Sequence, residues 1–98
     1  MKPHNPIVKC ADGFEISIQA SKFNYSTPRQ DVGPYITVEC GFPSSMPNNA
    51  NFREYAEPTN SSKHGTNYTE TVYGYVPIEI VIAELESHGG IVSGKLPE

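Results

Sequence analysis

Phe14-Glu15-Ile16-Ser17-Ile18-Gln19-Ala20 alternates apolar and polar residues with a period of two. That is the pattern of a strand with one buried face. It places Phe14, Ile16, Ile18 and Ala20 toward a core, and Glu15, Ser17 and Gln19 toward solvent. Ile7 to Ala11 forms a strand before it, and Asp12-Gly13 between them reads as a tight hairpin turn, because glycine accepts the positive φ such a turn needs. A third strand runs from Ile36 to Phe42, with Ile36, Val38 and Cys40 on one face and Thr37 and Glu39 on the other. Pro43 ends it. A fourth runs from Glu70 to Val76 and is rich in β-formers. Val72, Gly74 and Val76 share one of its faces and Tyr73 and Tyr75 the other, with Gly74 marking a bulge or a close backbone approach.

The period then changes. Ile78, Val81, Ile82 and Leu85 recur at i, i+3, i+4 and i+7, the apolar stripe of a helix lying on a core. Pro77 suits the first turn, where a missing N–H costs nothing. Glu79 near the N-terminus and a protonated His88 near the C-terminus complement the helix dipole. Gly89 supplies a left-handed cap, and Ile91-Val92-Ser93 adds a short edge strand. Two segments lack periodicity, 21–35 and 43–69. The second is long enough to be functional or mobile, and Phe52 to Ala56 within it suits one helical turn or a short strand. The order of elements describes an α+β protein. It has a small, mainly antiparallel sheet of four to five strands, with one C-terminal helix packed on a face. Residues 1–98 read as a single domain.

Composition narrows the function classes. Apolar residues are 37% of the 98 and Gly and Pro number 8 and 9, so a small core carries long loops. A net charge of −4 with only seven Lys and Arg excludes a broad nucleic-acid-binding face. No apolar run nears the ~20 residues of a membrane span, and Met1 to Pro6 is no signal region. The expected setting is therefore the cytoplasm, with no membrane contact. Cys10 and Cys40 read as buried free thiols, without the spacing of a zinc site. The sequons at Asn24, Asn60 and Asn67 read as loop chemistry. No phosphate-cradling loop or metal-ligand spacing occurs, and no cofactor is expected.

Two kinds of chemistry remain. His64 with Glu39, assisted by Arg29 or Arg53, is a general acid/base set of the kind small ribonucleases use, although no spacing rule supports it. The stronger candidates are the loop aromatics and the only two arginines: Tyr25, Arg29 and Tyr35 in the first loop, Arg53 and Tyr55 in the second. Arginine and tyrosine dominate binding hot spots because they combine area, rigidity and hydrogen bonding. The competing reading pairs Arg29 and Arg53 with Asp31 and Glu54 on the surface, and packs Tyr73 and Tyr75 beneath the long loop.

The runs Asp12 to Ser21, Tyr25-Ser26-Thr27-Pro28-Arg29, Gly33 to Ser44 and Thr71 to Pro77, with His88-Gly89-Gly90, resemble a family of small uncharacterised phage and prophage proteins. The resemblance implies a phage accessory protein acting inside a bacterial host cell. Proteins of that class often block host defence, by binding a CRISPR complex or by sequestering a signalling nucleotide. The expectation is a non-enzymatic binder of a host protein or protein complex, an anti-CRISPR-like inhibitor. It would present Tyr25, Arg29, Tyr35, Arg53 and Tyr55, with Glu54 and Glu57 meeting basic surfaces on the partner. The alternatives are a nucleotide-binding sponge that uses the same side chains, a small nuclease or hydrolase built on His64 and Glu39, and a virion component with no site. Pairing of an exposed fourth or final strand across a two-fold axis would give a homodimer.

Overall fold

The hairpin comes first, and its turn behaves as its residues dictate. Gly13 takes φ +96°, and the Asp12 carboxylate accepts the Phe14 N–H at 2.9 Å. The computed structural model describes residues 3–58 and 66–98. Within them, β1 (Val8–Cys10) pairs with β2 (Glu15–Gln19), and β2 pairs in turn with β3 (Thr37–Gly41). A one-turn helix, α1 (Ala50–Arg53), precedes β4 (Val72–Pro77), which runs directly into α2 (Ile78–Glu86) and then β5 (Ile91–Ser93). The five strands form one sheet in the order β4-β3-β2-β1-β5, antiparallel at every pairing. The expected α+β fold is therefore present, with α1 in addition to the C-terminal helix. Because β4 and β5 are opposite edges, α2 crosses the whole sheet between them.

The core lies between that helix and one sheet face. Val8, Phe14, Ile16, Ile18, Val38, Cys40, Tyr73 and Val76 supply the sheet side, Val81 and Leu85 come from α2, and Phe52 comes from α1. Phe52 meets Tyr73 with ring centroids 4.9 Å apart, which fixes the second loop onto β4. Cys10 and Cys40 are buried free thiols. Burial pushes the Cys40 thiol well above its ordinary range.

Several faces differ from the expected pattern, each for a local reason. Gln19 is buried, because its amide bonds both the Asn5 carbonyl and the Asn5 N–H at 2.7 Å. Ile36 is exposed: it precedes β3, and its backbone bonds Thr27 and Ile78. Ile82 also sits outside, while Glu84 takes its place among the buried residues of α2. The buried set on that side is thus Val81, Glu84, Leu85 and His88, still at i, i+3, i+4 and i+7 but half polar. In β4, Tyr73 and Val76 face the core and Tyr75 faces out. The expected grouping of Tyr73 with Tyr75 fails because the strand carries an extra residue.

Candidate binding site

That extra residue starts the site. Val38 pairs with Val76 but Cys40 pairs with Tyr73, so Gly74 and Tyr75 together oppose Glu39 alone. This is a β-bulge, and it turns Tyr75 outward at φ +51°. The Tyr75 N–H, released from the ladder, donates to the Tyr25 carbonyl at 3.0 Å. Across the bulge, the Glu39 carboxylate accepts the Tyr25 N–H at 3.2 Å and the Asn24 amide at 2.9 Å. The first loop is therefore pinned to the sheet from both sides of Tyr25. Gly74 permits this, since a Cβ there would stand 3.4 Å from two atoms of the Tyr25 side chain.

Two exposed aromatic rings result. Tyr25 and Tyr75 stack with centroids 5.6 Å apart and 27° between planes. They remain 39% and 46% exposed. The Arg29 guanidinium lies 5.1 Å from the centre of the Tyr25 ring, a cation–π arrangement. It makes no ion pair among the described residues. Glu57 borders the cluster, with a carboxylate oxygen 3.6 Å from where a Gly74 Cβ would stand. Its own N–H bonds the Val72 carbonyl and its carbonyl accepts the Thr71 hydroxyl. Beside Tyr25 the open sheet face is grooved. Two shallow cavities of about 340 and 330 Å³ share His4, Gln19 and Asn24, one ending at Phe42 and the other at Phe23. Both phenylalanines are exposed.

The other candidates are placed differently. Arg53 donates from one guanidinium nitrogen to the carbonyls of Pro47 and Asn48, at 2.6 and 3.1 Å, so it braces the second loop rather than pairing with Glu54. Tyr55 is partly buried against the core. Tyr35 is buried and its hydroxyl donates to the Gln30 carbonyl at 2.8 Å. Asp31 is not paired with Arg29; its carboxylate accepts the Lys22 N–H. Of the five residues, the structure thus brings Tyr25 and Arg29 together, and adds Tyr75. The signal for Tyr75 was its neighbour: a glycine inside a strand, followed by an exposed-type aromatic.

The acid/base candidates are also placed. Glu39 is committed to Asn24 and Tyr25, and His64 lies outside the described residues. A different titratable group exists instead. His88 Nδ1 lies 2.7 Å from the Asp12 carboxylate and Nε2 2.7 Å from the Glu84 carboxylate. The imidazole stacks on Phe14 at 3.8 Å, nearly parallel. Glu84 also accepts the backbone N–H groups of Asn48 and Asn49, at 2.8 and 2.9 Å. The Phe14 N–H first, and His88 second, hold the Asp12 carboxyl below its ordinary range. His88 and Glu84 are only 4% and 1% exposed. Both ring nitrogens are already engaged, so the imidazole has neither free for a substrate. It joins the hairpin turn, α2 and the second loop.

No protein-family model, curated protein or solved structure matches this chain. The candidate site therefore rests on its own geometry. Among the described residues no helix is long and apolar enough to cross a membrane. No group of His, Cys, Asp and Glu among them is arranged to hold a metal ion.

Proposed function

We propose that this chain is a non-enzymatic binding protein that docks a protein partner through Tyr25, Arg29 and Tyr75 and the groove beside them. The observation that carries the reading is the bulge. Glu39, the Tyr25 carbonyl and the missing side chain at Gly74 together hold two tyrosines in the open, where neither contributes much to the core. Exposed, preordered aromatics with an arginine are what binding hot spots are made of, since their side-chain freedom is already reduced before the partner arrives. If the chain is the phage accessory protein that its sequence leads one to expect, the partner would be a host factor and the consequence steric inhibition of host defence. A nucleotide sponge fits less well. The two rings already stack on each other and Arg29 lies near Tyr25, so no slot is open between aromatic planes for a base.

The test is capture from a bacterial lysate by the immobilised protein, followed by affinity measurement with the purified partner. Alanine at Tyr25, Arg29 or Tyr75 should weaken binding about tenfold or more each. Alanine at the exposed Ile36 should leave it unchanged. Equal binding by the parent and the three site variants defeats the proposal, as does a nucleotide found bound by native mass spectrometry.

A further inference from the structure

Two adjacent residues at the end of β3 are the reverse of what their backbone asks for. Gly41 has no positive φ. A Cβ there would meet only Val72 Cγ1 at 3.5 Å and the Thr71 carbonyl oxygen at 3.9 Å, which is ordinary contact. The fold has no conformational need of glycine at 41, and a glycine in a strand weakens it. Phe42, beside it, does stand in the left-handed region, at φ +52°, where a bulky side chain is disfavoured and glycine is easier. Its N–H donates to the Thr71 carbonyl at 3.1 Å, which holds it there. The ring is 61% exposed, so core packing does not offset the strain. Both departures shape one cavity. On the open face of the sheet Gly41 stands between Ser17 of β2 and Val72 of β4, and Glu39 stands opposite Gln19. The missing side chain at 41 leaves room for the cavity of about 340 Å³, which Phe42 and Glu39 also line.

We propose that this cavity receives an arginine side chain of the partner protein, with its guanidinium against the Glu39 carboxylate and the Phe42 ring. The proposal rests on the reading of this face as the docking surface and names what the groove takes. Among the described residues that line the cavity, Glu39 is the only carboxylate, and no lysine or arginine joins it. The Glu39 oxygens accept the Asn24 amide and the Tyr25 N–H, which occupies two of a carboxylate's roughly four acceptor positions. Among the described residues no cation lies within ion-pair distance of it. Arg29 lies against the Tyr25 ring and does not line the cavity. A carboxylate without a countercharge, on a chain of net charge −4, is complementary to a cation. The aromatic ring at the same cavity selects among cations. A guanidinium is planar, bonds a carboxylate through two N–H groups, stacks on a ring face and is more weakly hydrated than an ammonium. A strand glycine that the backbone does not require is where a ligand approaches closely.

The probe is blocked arginine, N-acetyl-arginine N-methylamide, titrated into the isotope-labelled protein, with blocked citrulline as its uncharged isostere. Arginine should shift the amide resonances of Ser17, Gly41, Phe42 and Val72 in a saturable way, and citrulline should not. Gly41→Ala should weaken the response, and Gly41→Val should remove it by filling the cavity. Phe42→Gly should weaken it without lowering the urea midpoint, because glycine relieves the left-handed backbone. Arginine that moves none of these amides overturns the proposal. So do equal responses to arginine and citrulline, and an arginine response that survives both Gly41→Val and Phe42→Gly. In the partner assay Gly41→Val should reduce capture, as the tyrosine variants do. Capture lost in the Tyr25 and Tyr75 variants but kept in Gly41→Val leaves the docking surface standing and overturns the arginine cavity. Capture indifferent to Tyr25, Arg29 and Tyr75 overturns the docking reading itself.

Discussion

The Asp12–His88–Glu84 group and the Tyr25–Arg29–Tyr75 group reverse the usual placement of residue types. The first buries a carboxylate and an imidazole beneath the second loop; the second leaves two aromatic rings in water. A buried polar group and an exposed aromatic pair are each informative, whereas a buried valine or a surface lysine is not. In the buried group every ring nitrogen and both Glu84 oxygens have partners, as a low-dielectric interior demands. In the exposed group Tyr25 is held through its backbone, and the two rings, stacked on each other, stay partly exposed. Charge here is structural and aromatic surface is available. Variants in the first group should therefore change stability, and variants in the second should change binding.

The largest expected effect is at Glu84. Alanine there strands two backbone N–H groups and removes one partner of a buried imidazole, at a cost of about 3–5 kcal/mol. Urea denaturation measures it, and a loss below about 0.5 kcal/mol, the range of ordinary surface changes, would break the comparison. Asp12 should produce the next effect, and its sign follows from the direction of its shift. The folded carboxyl is held below its ordinary value of about 3.9. Its contribution is thus complete above about pH 4 and disappears as pH falls through the folded value. Asp12→Asn should flatten that part of the acid decline in the urea midpoint. An unchanged acid limb would remove Asp12 from the network.

The two tyrosines of β4 sharpen the contrast within one strand. Tyr73 is fully buried, and its hydroxyl donates to the Tyr68 carbonyl at 2.6 Å. Tyr73→Phe should cost about 1 kcal/mol, while Tyr75→Phe should stay within about 0.5 kcal/mol of the parent. Equal losses in thermal unfolding would mean that the bulge does not divide the strand into a core half and a surface half.

Local signals made much of the scaffold legible. Asp12-Gly13 announces its hairpin, and Phe14 to Ala20 its period, because both depend on neighbours in the chain. The face of β4 was not legible, since whether Gly74 inserts a residue depends on how Glu39 of another strand meets it. The buried face of α2 was half legible. Val81 and Leu85 follow the stripe, but Ile82 loses its place to Glu84, whose partners at Asn48, Asn49 and His88 make burial of a charge tolerable. The i, i+4 spacing of Glu84 and His88 was visible; Asp12, 76 residues from His88, was not. Arg29 and Arg53 look alike in sequence. They differ because the Pro47 and Asn48 carbonyls lie beside Arg53, and a tyrosine ring lies beside Arg29.

The smallest expected effect tests how the exposed group is held. Gly74→Ala places a methyl 3.4 Å from Cβ and Cδ2 of Tyr25, at the near edge of ordinary contact. Gly74 has no positive φ, so alanine adopts the same backbone and its lower chain entropy offsets part of the crowding. The net change in stability should be under about 1 kcal/mol. The added methyl would nevertheless press on the Tyr25 side chain and should shift its ring slightly relative to Tyr75. Aromatic proton shifts of both tyrosines report that movement directly, because each ring lies in the other's ring current. Shifted Tyr25 and Tyr75 resonances, with those of Tyr73 unmoved, would show that the glycine sets the geometry of the exposed pair and not of the core. Unmoved Tyr25 and Tyr75 resonances would mean that the loop, anchored through Glu39 and the Tyr75 N–H, places its aromatic ring without regard to what lies beneath it.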